Sequence, residues 1–481
     1  MPRYALVTFG CQMNQHDSDR IAEALHGVGY TPVKEPRDAE LVILNTCSVR
    51  EKAEQKLRSE VGRLGLLKRE NPALLIGVAG CVAQQEGEAL IKRMPQLDLV
   101  FGPDNIPELP GLLAELELGG PPRVRTVFDV DSPRFLRAAP ISGRAAPSTF
   151  VTVMKGCDER CSYCIVPYTR GPERYRPARE IVEEVARLAA AGAREVTLLG
   201  QTVNSYRDPL GELSPAPGAG EQPPWHARFE RASDEESEFA ALLRAVVEGA
   251  PNLARLRYTS PHPRHLTMSL IRAHAELPAL MRHVHLPVQS GSDTILRRMI
   301  RRYSAAEYFE RVAALRAEVP GLTLSTDVIV GFPGETRADF EATVELVRRV
   351  GFTGLFGFMY SVRPYTPARR LADDVPDAEK SARLAELFEV SERLRREHLA
   401  RLVGKTEWVL VEGPGKQGGF SGRTEQNEIV HFGAQGDPTG ELVEVVITRA
   451  FDHSLEGELT DPSRRAAHVR RGLRVLDSSL Q

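Results

Sequence analysis

Six cysteines carry the first chemical signal in this chain of 481 residues. Three of them, Cys157, Cys161 and Cys164, stand in MKGCDERCSYCIVPYTRG (154–171) at the spacing CxxxCxxC, with Gly156 before them and Pro167 after. Thiolates of this kind hold iron–sulfur clusters, and a cubane normally takes four. The local set stops at three, which would leave one iron open to bind something else. Zinc is the competing reading, but zinc usually wants four ligands in paired CxxC units. Buried structural cysteines are a further alternative, one that does not account for a loop holding Gly156 and Arg170.

The other three cysteines need their elements to make sense. Residues 4–9 (YALVTF) read as a strand ending at Gly10-Cys11, residues 41–45 (LVILN) as a strand ending at Thr46-Cys47, and residues 73–79 (ALLIGVA) as a strand ending at Gly80-Cys81. A helical pattern follows each. The first repeats Ile21, Leu25 and Val28, with Asp17 or Ser18 as N-cap; the second runs from about Ser48 to Arg69; the third passes through Ala89 and Ile91. Strands alternating with helices imply a parallel sheet, whose C-terminal edge is where ligand sites gather. Cys11, Cys47 and Cys81 are therefore expected to converge, and three thiolates suit a second cubane. A buried core trio and a catalytic cysteine remain alternatives. The latter would want a base, and His16 and His26 are the only histidines in this region.

Further along, strand 149–154 leads into the CxxxCxxC loop. Helix 178–191, strand 195–199, helix 237–248, strand 254–259, helix 264–276, strand 283–288, helices 293–301 and 304–317, strand 322–330, helix 336–349 and strand 353–359 follow. Six βα units suggest a partial parallel barrel, a (β/α)6 arrangement with its chemistry at the strand C-termini. An amphipathic helix spans 378–403. Short strands at 406–412, 428–432, 441–448 and 454–459 then argue for a small β-barrel, a fold that commonly binds RNA. The expected organisation is an α/β domain at 2–118, a linker at 119–142 with a short strand at 124–130, a core at 143–400, the β-barrel at 401–465 and a basic tail at 466–481. The stretch 207–236, with Trp225, reads as a solvent-facing loop.

With 62 Lys and Arg against 65 Asp and Glu, the formal net charge is −3. A nucleic-acid partner must then be met by local patches. Two are offered: Arg170, Arg174, Arg176 and Arg179 interleaved with Tyr168 and Tyr175, and Arg297, Arg298, Arg301 and Arg302. No apolar run approaches the length of a membrane span and no signal peptide precedes the first strand, so a cytoplasmic protein without a membrane partner is expected.

The strings TFGCQMNQHDSDR (8–20), LNTCSVREKAEQK (44–56), GVAGCVAQQ (77–85), GCDERCSYCIVPYTRGPER (156–174), LLGQTVNSY (198–206), HLPVQSGSD (285–293), STDVIVGFPGET (325–336) and SGRTEQNEIVHF (421–432) are spread along the chain from its first domain to its last. Together they resemble the methylthiotransferase family of radical S-adenosylmethionine (SAM) enzymes, and GCQMN resembles the branch that acts on dimethylallyladenosine. The resemblance implies a TRAM-like barrel at the C-terminus and two 4Fe–4S clusters. Cys157, Cys161 and Cys164 would ligate the SAM-binding cluster, and Cys11, Cys47 and Cys81 the auxiliary one that supplies or carries the inserted sulfur. Gln201, Asn204, Ser260, Gln289 and Glu335 fall where the SAM pocket is built.

The reaction implied converts N6-dimethylallyladenosine at position 37 of tRNA, beside the anticodon, to its 2-methylthio form, using two SAM per turnover. Partners implied are the anticodon stem-loop and an electron donor such as reduced flavodoxin or ferredoxin, with the chain a monomer. Sibling members act on threonylcarbamoyl-adenosine or on a ribosomal-protein aspartate; a non-catalytic iron–sulfur RNA-binding protein is the reading from another class. The chain departs from the family pattern at Tyr175, at Val362 and Tyr365 in the segment YSVRPYTPA, at Glu428, and in the enlarged loop 207–236.

Overall fold

The computed structural model describes residues 1–48, 51–131, 133–138, 143–213, 237–416 and 418–461, with only the backbone of Glu51 and Lys52. Most of the expected loop 207–236, Trp225 included, and the tail 466–481 lie outside the described residues.

The N-terminal region is one six-stranded parallel sheet. Its order is Thr31–Pro32, Arg3–Phe9, Leu41–Thr46, Leu75–Gly80, Leu99–Phe101 and Arg123–Arg125. The strands are apolar on both faces because helices cover both: Val42 and Leu44 join one core cluster, Leu41 and Ile43 another. Register places Phe9 opposite Thr46 and Thr46 opposite Gly80, so three strands end level. The short strand expected at 124–130 is Arg123–Arg125, and it closes the edge of this sheet.

Two sequence expectations are corrected here. The first helix begins at Gln12 with Cys11 at its N-cap, not at Asp17 or Ser18. The helix expected through Ala89 and Ile91 is two pieces, Cys81–Glu86 and Glu88–Arg93, parted at Gly87, whose φ is +51°.

The central region holds six parallel strands in chain order. Ser148–Thr152, Glu195–Leu199 and Arg255–Tyr258 form one half; His283–His285, Thr323–Val330 and Gly354–Met359 form the other. Among the described residues a single bridge, Leu256 to Leu280, links the halves. One core cluster runs through both, from Val151 and Val196 to Leu324 and Val328. The structure is thus a partial barrel, open between its first and last strands. The long helix Asp377–Ala400 adds Leu387 and Val390 to that core.

The C-terminal strands Thr406–Pro414, Phe420–Arg423, Ile429–Gly433, Leu455–Leu459 and Leu442–Ala450 close into a five-stranded barrel. Phe420–Arg423 is a strand the sequence pattern did not reveal. Four residues with a glycine among them leave little side-chain alternation to read: Gly422 packs under Leu410, where a β-carbon would meet the Leu410 carbonyl oxygen at 2.1 Å.

Buried arginines fix this barrel to the core. Arg255 donates to the carbonyls of Arg423 (2.6 Å) and Trp408 (2.8 Å), and Arg257 to those of Thr424 (2.9 Å) and Glu425 (3.1 Å). Glu195 orients Arg257 at 2.9 Å, and burial lowers Arg255 to a pKa of about 10. Arg255 opens its strand, and Thr323, which opens another, contacts the Gln426 carbonyl. The small barrel therefore docks at the end of the sheet opposite the cysteine loop.

Candidate active site

The level strand ends explain the first triad. Cys11, Cys47 and Cys81 each follow one of three neighbouring strands that stop in register. Gly80 makes the last approach possible: its φ is +91°, and a β-carbon there would lie 2.3 Å from Asn45 Oδ1. Asn14 and Asn45, both fully buried, lace the triad's supports together. Asn45 Nδ2 donates to Asn14 O (2.8 Å) and Ser18 Oγ (2.9 Å), Asn14 Nδ2 donates to Asn45 Oδ1 (3.2 Å), and the Cys11 N–H donates to Asn14 Oδ1 (3.4 Å).

The thiols sense one another. A hydrogen bond with Cys47 lowers Cys11 to a pKa of about 6, aided by Asn14 and the Arg170 guanidinium. Burial raises Cys81, and Arg170 opposes that rise. Arg170 comes from the other cysteine loop. It reaches across to Asp17, with Nη2 2.5 Å from Oδ2, both groups buried.

The second triad sits in the loop after Ser148–Thr152. Gly156 has φ +77°, and a β-carbon there would fall 1.9 Å from the Pro172 carbonyl oxygen, so only glycine lets the loop fold back on itself. Cys157 Sγ lies 3.0 Å from Thr202 Oγ1, and Arg301 Nη1 donates to Cys161 Sγ at 3.5 Å. Burial raises Cys157 well above the usual thiol range, followed by the nearby Glu173, Cys164 and Cys161; burial and then Cys161 push Cys164 up to about 12. Glu159, between the first two cysteines, accepts from His265 at 2.7 Å and faces His262 at 3.8 Å, clamping the loop to the segment after Arg255–Tyr258.

The expected pocket residues separate into two groups. Gln201 is the one whose amide is open: neither Oε1 nor Nε2 has a partner among the described residues, although both are buried. A buried unsatisfied amide calls for an explanation, and a polar ligand supplies one. Ser260 and Gln289 follow the third and fourth strands with φ of +61° and +70°, left-handed backbone of the kind that gathers at ligand clamps. Asn204 faces protein instead, accepting from the His262 N–H at 2.8 Å and donating to the His262 carbonyl at 3.0 Å. Glu335 Oε2 is taken by the Gly331 N–H (2.6 Å) and by Arg383 (2.7 Å), tying the GFPGE turn to the long helix.

The expected basic patches need correction. Arg170 pairs with Asp17, Arg174 with Asp104 and Asp129, Arg176 with Glu184 at 2.5 Å, and Arg301 with Cys161 and Tyr303, all of them buried. Charge burial without partners is too costly to persist, and for Arg170 and Arg174 the acids come from distant segments. Arg179, Arg297, Arg298 and Arg302 remain at the surface. Tyr175 hydrogen-bonds to Glu173, and Glu428, in the docked barrel, lies with Oε1 3.2 Å from His398 Nε2.

Each triad thus offers three converging thiols with a guanidinium beside them, a donor set that fits a cubane with one open iron. Asn14, Asn45 and Thr202 support these sets and were not singled out by sequence reasoning, while Asp17 and Arg301, expected as an N-cap and as part of a basic patch, prove to serve them as well. Asn14 and Asn45 carried a signal, since both lie within three residues of a cysteine.

Comparison with known proteins agrees with this architecture. Residues 3–102 match a family described as uncharacterized protein family UPF0004, residues 151–347 the radical SAM superfamily, and residues 400–460 the TRAM domain. The tRNA-2-methylthio-N(6)-dimethylallyladenosine synthase of Sorangium cellulosum is 63% identical over 98% of this chain and 96% of its own. That of Bordetella petrii is 44% identical over 94% of this chain and 90% of its own. Among solved structures, the radical S-adenosylmethionine methyltransferase TsrM from Kitasatospora setae has a similar fold, with a TM-score of 0.51 and 17% identity over 76% of this chain and 77% of that one.

Fold and site together define a radical SAM enzyme with an added α/β domain and a TRAM barrel. The chain belongs to the tRNA-2-methylthio-N6-dimethylallyladenosine synthase family.

Proposed function

We propose that this chain inserts a methylthio group at C2 of N6-dimethylallyladenosine 37 in tRNA. The observation that carries this reading is the Arg170 bridge. One loop holds Cys157, Cys161 and Cys164 and also sends a buried guanidinium to Asp17, between Cys11 and Cys81. Two three-thiol sets are thereby held as one unit, as a transfer between a sulfur-carrying site and a radical-generating site requires.

The C2–H of adenine is out of reach of side-chain general bases, whose contribution is about 10²–10⁴-fold. A 4Fe–4S cluster on Cys157, Cys161 and Cys164 with SAM supplies radical chemistry for that bond, and a cluster on Cys11, Cys47 and Cys81 supplies the sulfur site, with two SAM consumed per turnover. The chain's own residues do the rest. Arg301 and Thr202 fix Cys161 and Cys157, Gln201 offers both ends of an amide to a polar ligand, and Asn204 holds the His262 backbone that lines the same edge. The base next to the anticodon lies in a loop and can turn outward without breaking a duplex.

The remaining parts of the reading are a cytoplasmic monomer that draws electrons from a reduced flavodoxin or ferredoxin. No helix among the described residues is long and apolar enough to cross a membrane. Mass spectrometry of tRNA nucleosides from cells lacking the protein tests the reading. The expected result is loss of 2-methylthio-N6-dimethylallyladenosine with accumulation of its unthiolated precursor; an unchanged methylthio level at that nucleoside would sink it.

A further inference from the structure

One aromatic pair is left over once the triads and their supports are assigned. Tyr168, on the short helix Val166–Thr169 after Cys164, faces Tyr365 with ring centroids 6.0 Å apart and planes at 34°. The rings are open to solvent, 40% and 60% exposed. Aromatic side chains contribute most by burial, so a paired, exposed set at a site edge calls for a role.

Tyr365 holds its place against backbone preference. Its φ is +66°, directly after Pro364, in a turn where Thr366 Oγ1 donates to the Arg363 carbonyl at 2.9 Å. Proline second and a positive φ third is the pattern of a type II turn, whose third position ordinarily takes glycine. A bulky residue there is strained, and such strain gathers at ligand clamps.

The turn is well anchored. The Ala368 N–H donates to Ser162 O in the cysteine loop at 2.8 Å, and Arg363 pairs at 3.5 Å with Glu54 on the helix after Cys47. The Tyr168 helix packs against Cys81–Glu86. The pair therefore stands on the seam between the supports of the two triads. Arg369 and Arg370, exposed, follow within one turn of helix.

We propose that Tyr168 and Tyr365 form a stacking platform for an unpaired base of the RNA substrate, the neighbour of the reacting adenine. This rests on the RNA-modifying reading above. The reacting base has to enter between the triads, whereas the pair lies at the solvent-exposed rim, where the next base in the loop would sit. Aromatic faces grip any base by its π-surface, and Arg369 and Arg370 offer charge for the phosphates.

The test uses the full-length reconstituted chain and an anticodon stem-loop RNA carrying fluorescent 2-aminopurine beside the target adenosine. Binding should quench the fluorophore, and Tyr365→Phe should keep both quenching and affinity. Tyr365→Gly should lose most of the quenching and bind about tenfold more weakly, while its melting temperature stays at or above that of the parent because glycine suits the turn. Tyr365→Asn, which also tolerates positive φ, should lose the same amount. Parent-like quenching and affinity in the glycine and asparagine variants would overturn the platform and leave the RNA reading intact. A parent chain that does not bind the stem-loop would overturn both.

Discussion

Arg170 and Asp17 lie 153 positions apart in sequence, yet their side chains meet at 2.5 Å, buried between the two cysteine triads. The pair joins the N-terminal sheet to the partial barrel at the point where their chemistry must meet. Removing one partner leaves a buried charge uncompensated.

Arg170→Gln is therefore expected to destabilise the chain by about 3–5 kcal/mol, the range for breaking a buried ion pair. Urea denaturation followed by circular dichroism measures it. The double variant Arg170→Gln, Asp17→Asn should recover much of the loss. A change below about 0.5 kcal/mol in the single variant, the range of ordinary surface substitutions, would show that the pair does not hold the domains together.

Two clusters of four irons predict about eight iron per anaerobically reconstituted chain. Changing Cys157, Cys161 and Cys164 together to Ala should leave about half. Elemental analysis decides between iron and zinc, and zinc in place of iron would refute the cluster assignment.

The triads should divide their labour. Cys47→Ala is expected to abolish methylthio insertion and leave reductive cleavage of SAM to 5′-deoxyadenosine measurable by chromatography. Loss of all SAM cleavage, with the iron at Cys157, Cys161 and Cys164 retained, would show that the roles are wrongly divided.

His274 gives a pH dependence remote from both triads. It is buried, its Nε2 lies 2.7 Å from the Tyr258 hydroxyl, and burial lowers its pKa to about 3. The unfolded chain would take up this proton near pH 6.5, so between those values the unfolded state binds more protons. The contribution of neutral His274 is complete above about pH 6.5 and is lost progressively as pH falls toward 3. In His274→Gln the stability should fall less steeply across that window, as read from thermal midpoints. Parallel pH profiles for the two proteins would contradict it.

What the sequence could and could not show follows from the range of each interaction. The convergence of Cys11, Cys47 and Cys81 was legible because strand period and strand ends are local features, and parallel register does the rest. The fate of the arginines was not. Arg174 looks like its exposed neighbour Arg179 in sequence, but Asp104, 70 positions away, and Asp129 bury it. Asn204 was placed at the correct strand end, while the side of the loop its amide serves depends on the His262 backbone, which only folding brings near. Tyr365 stood out as a departure, with nothing in the sequence to indicate that its ring would meet Tyr168.

The docking of the small barrel by Arg255 and Arg257 sets a length. Arg255 opens its strand level with Ser148 and the cysteine loop follows the finish of Ser148–Thr152, so the two ends are separated by the height of the sheet, roughly 17 Å for five residues. An RNA gripped at the small barrel and reacting at the thiols would have to span that height outside the sheet. On the proposed reading the partial barrel would act as a gauge, set against any loop whose reactive base lies too near its stem or too far from it.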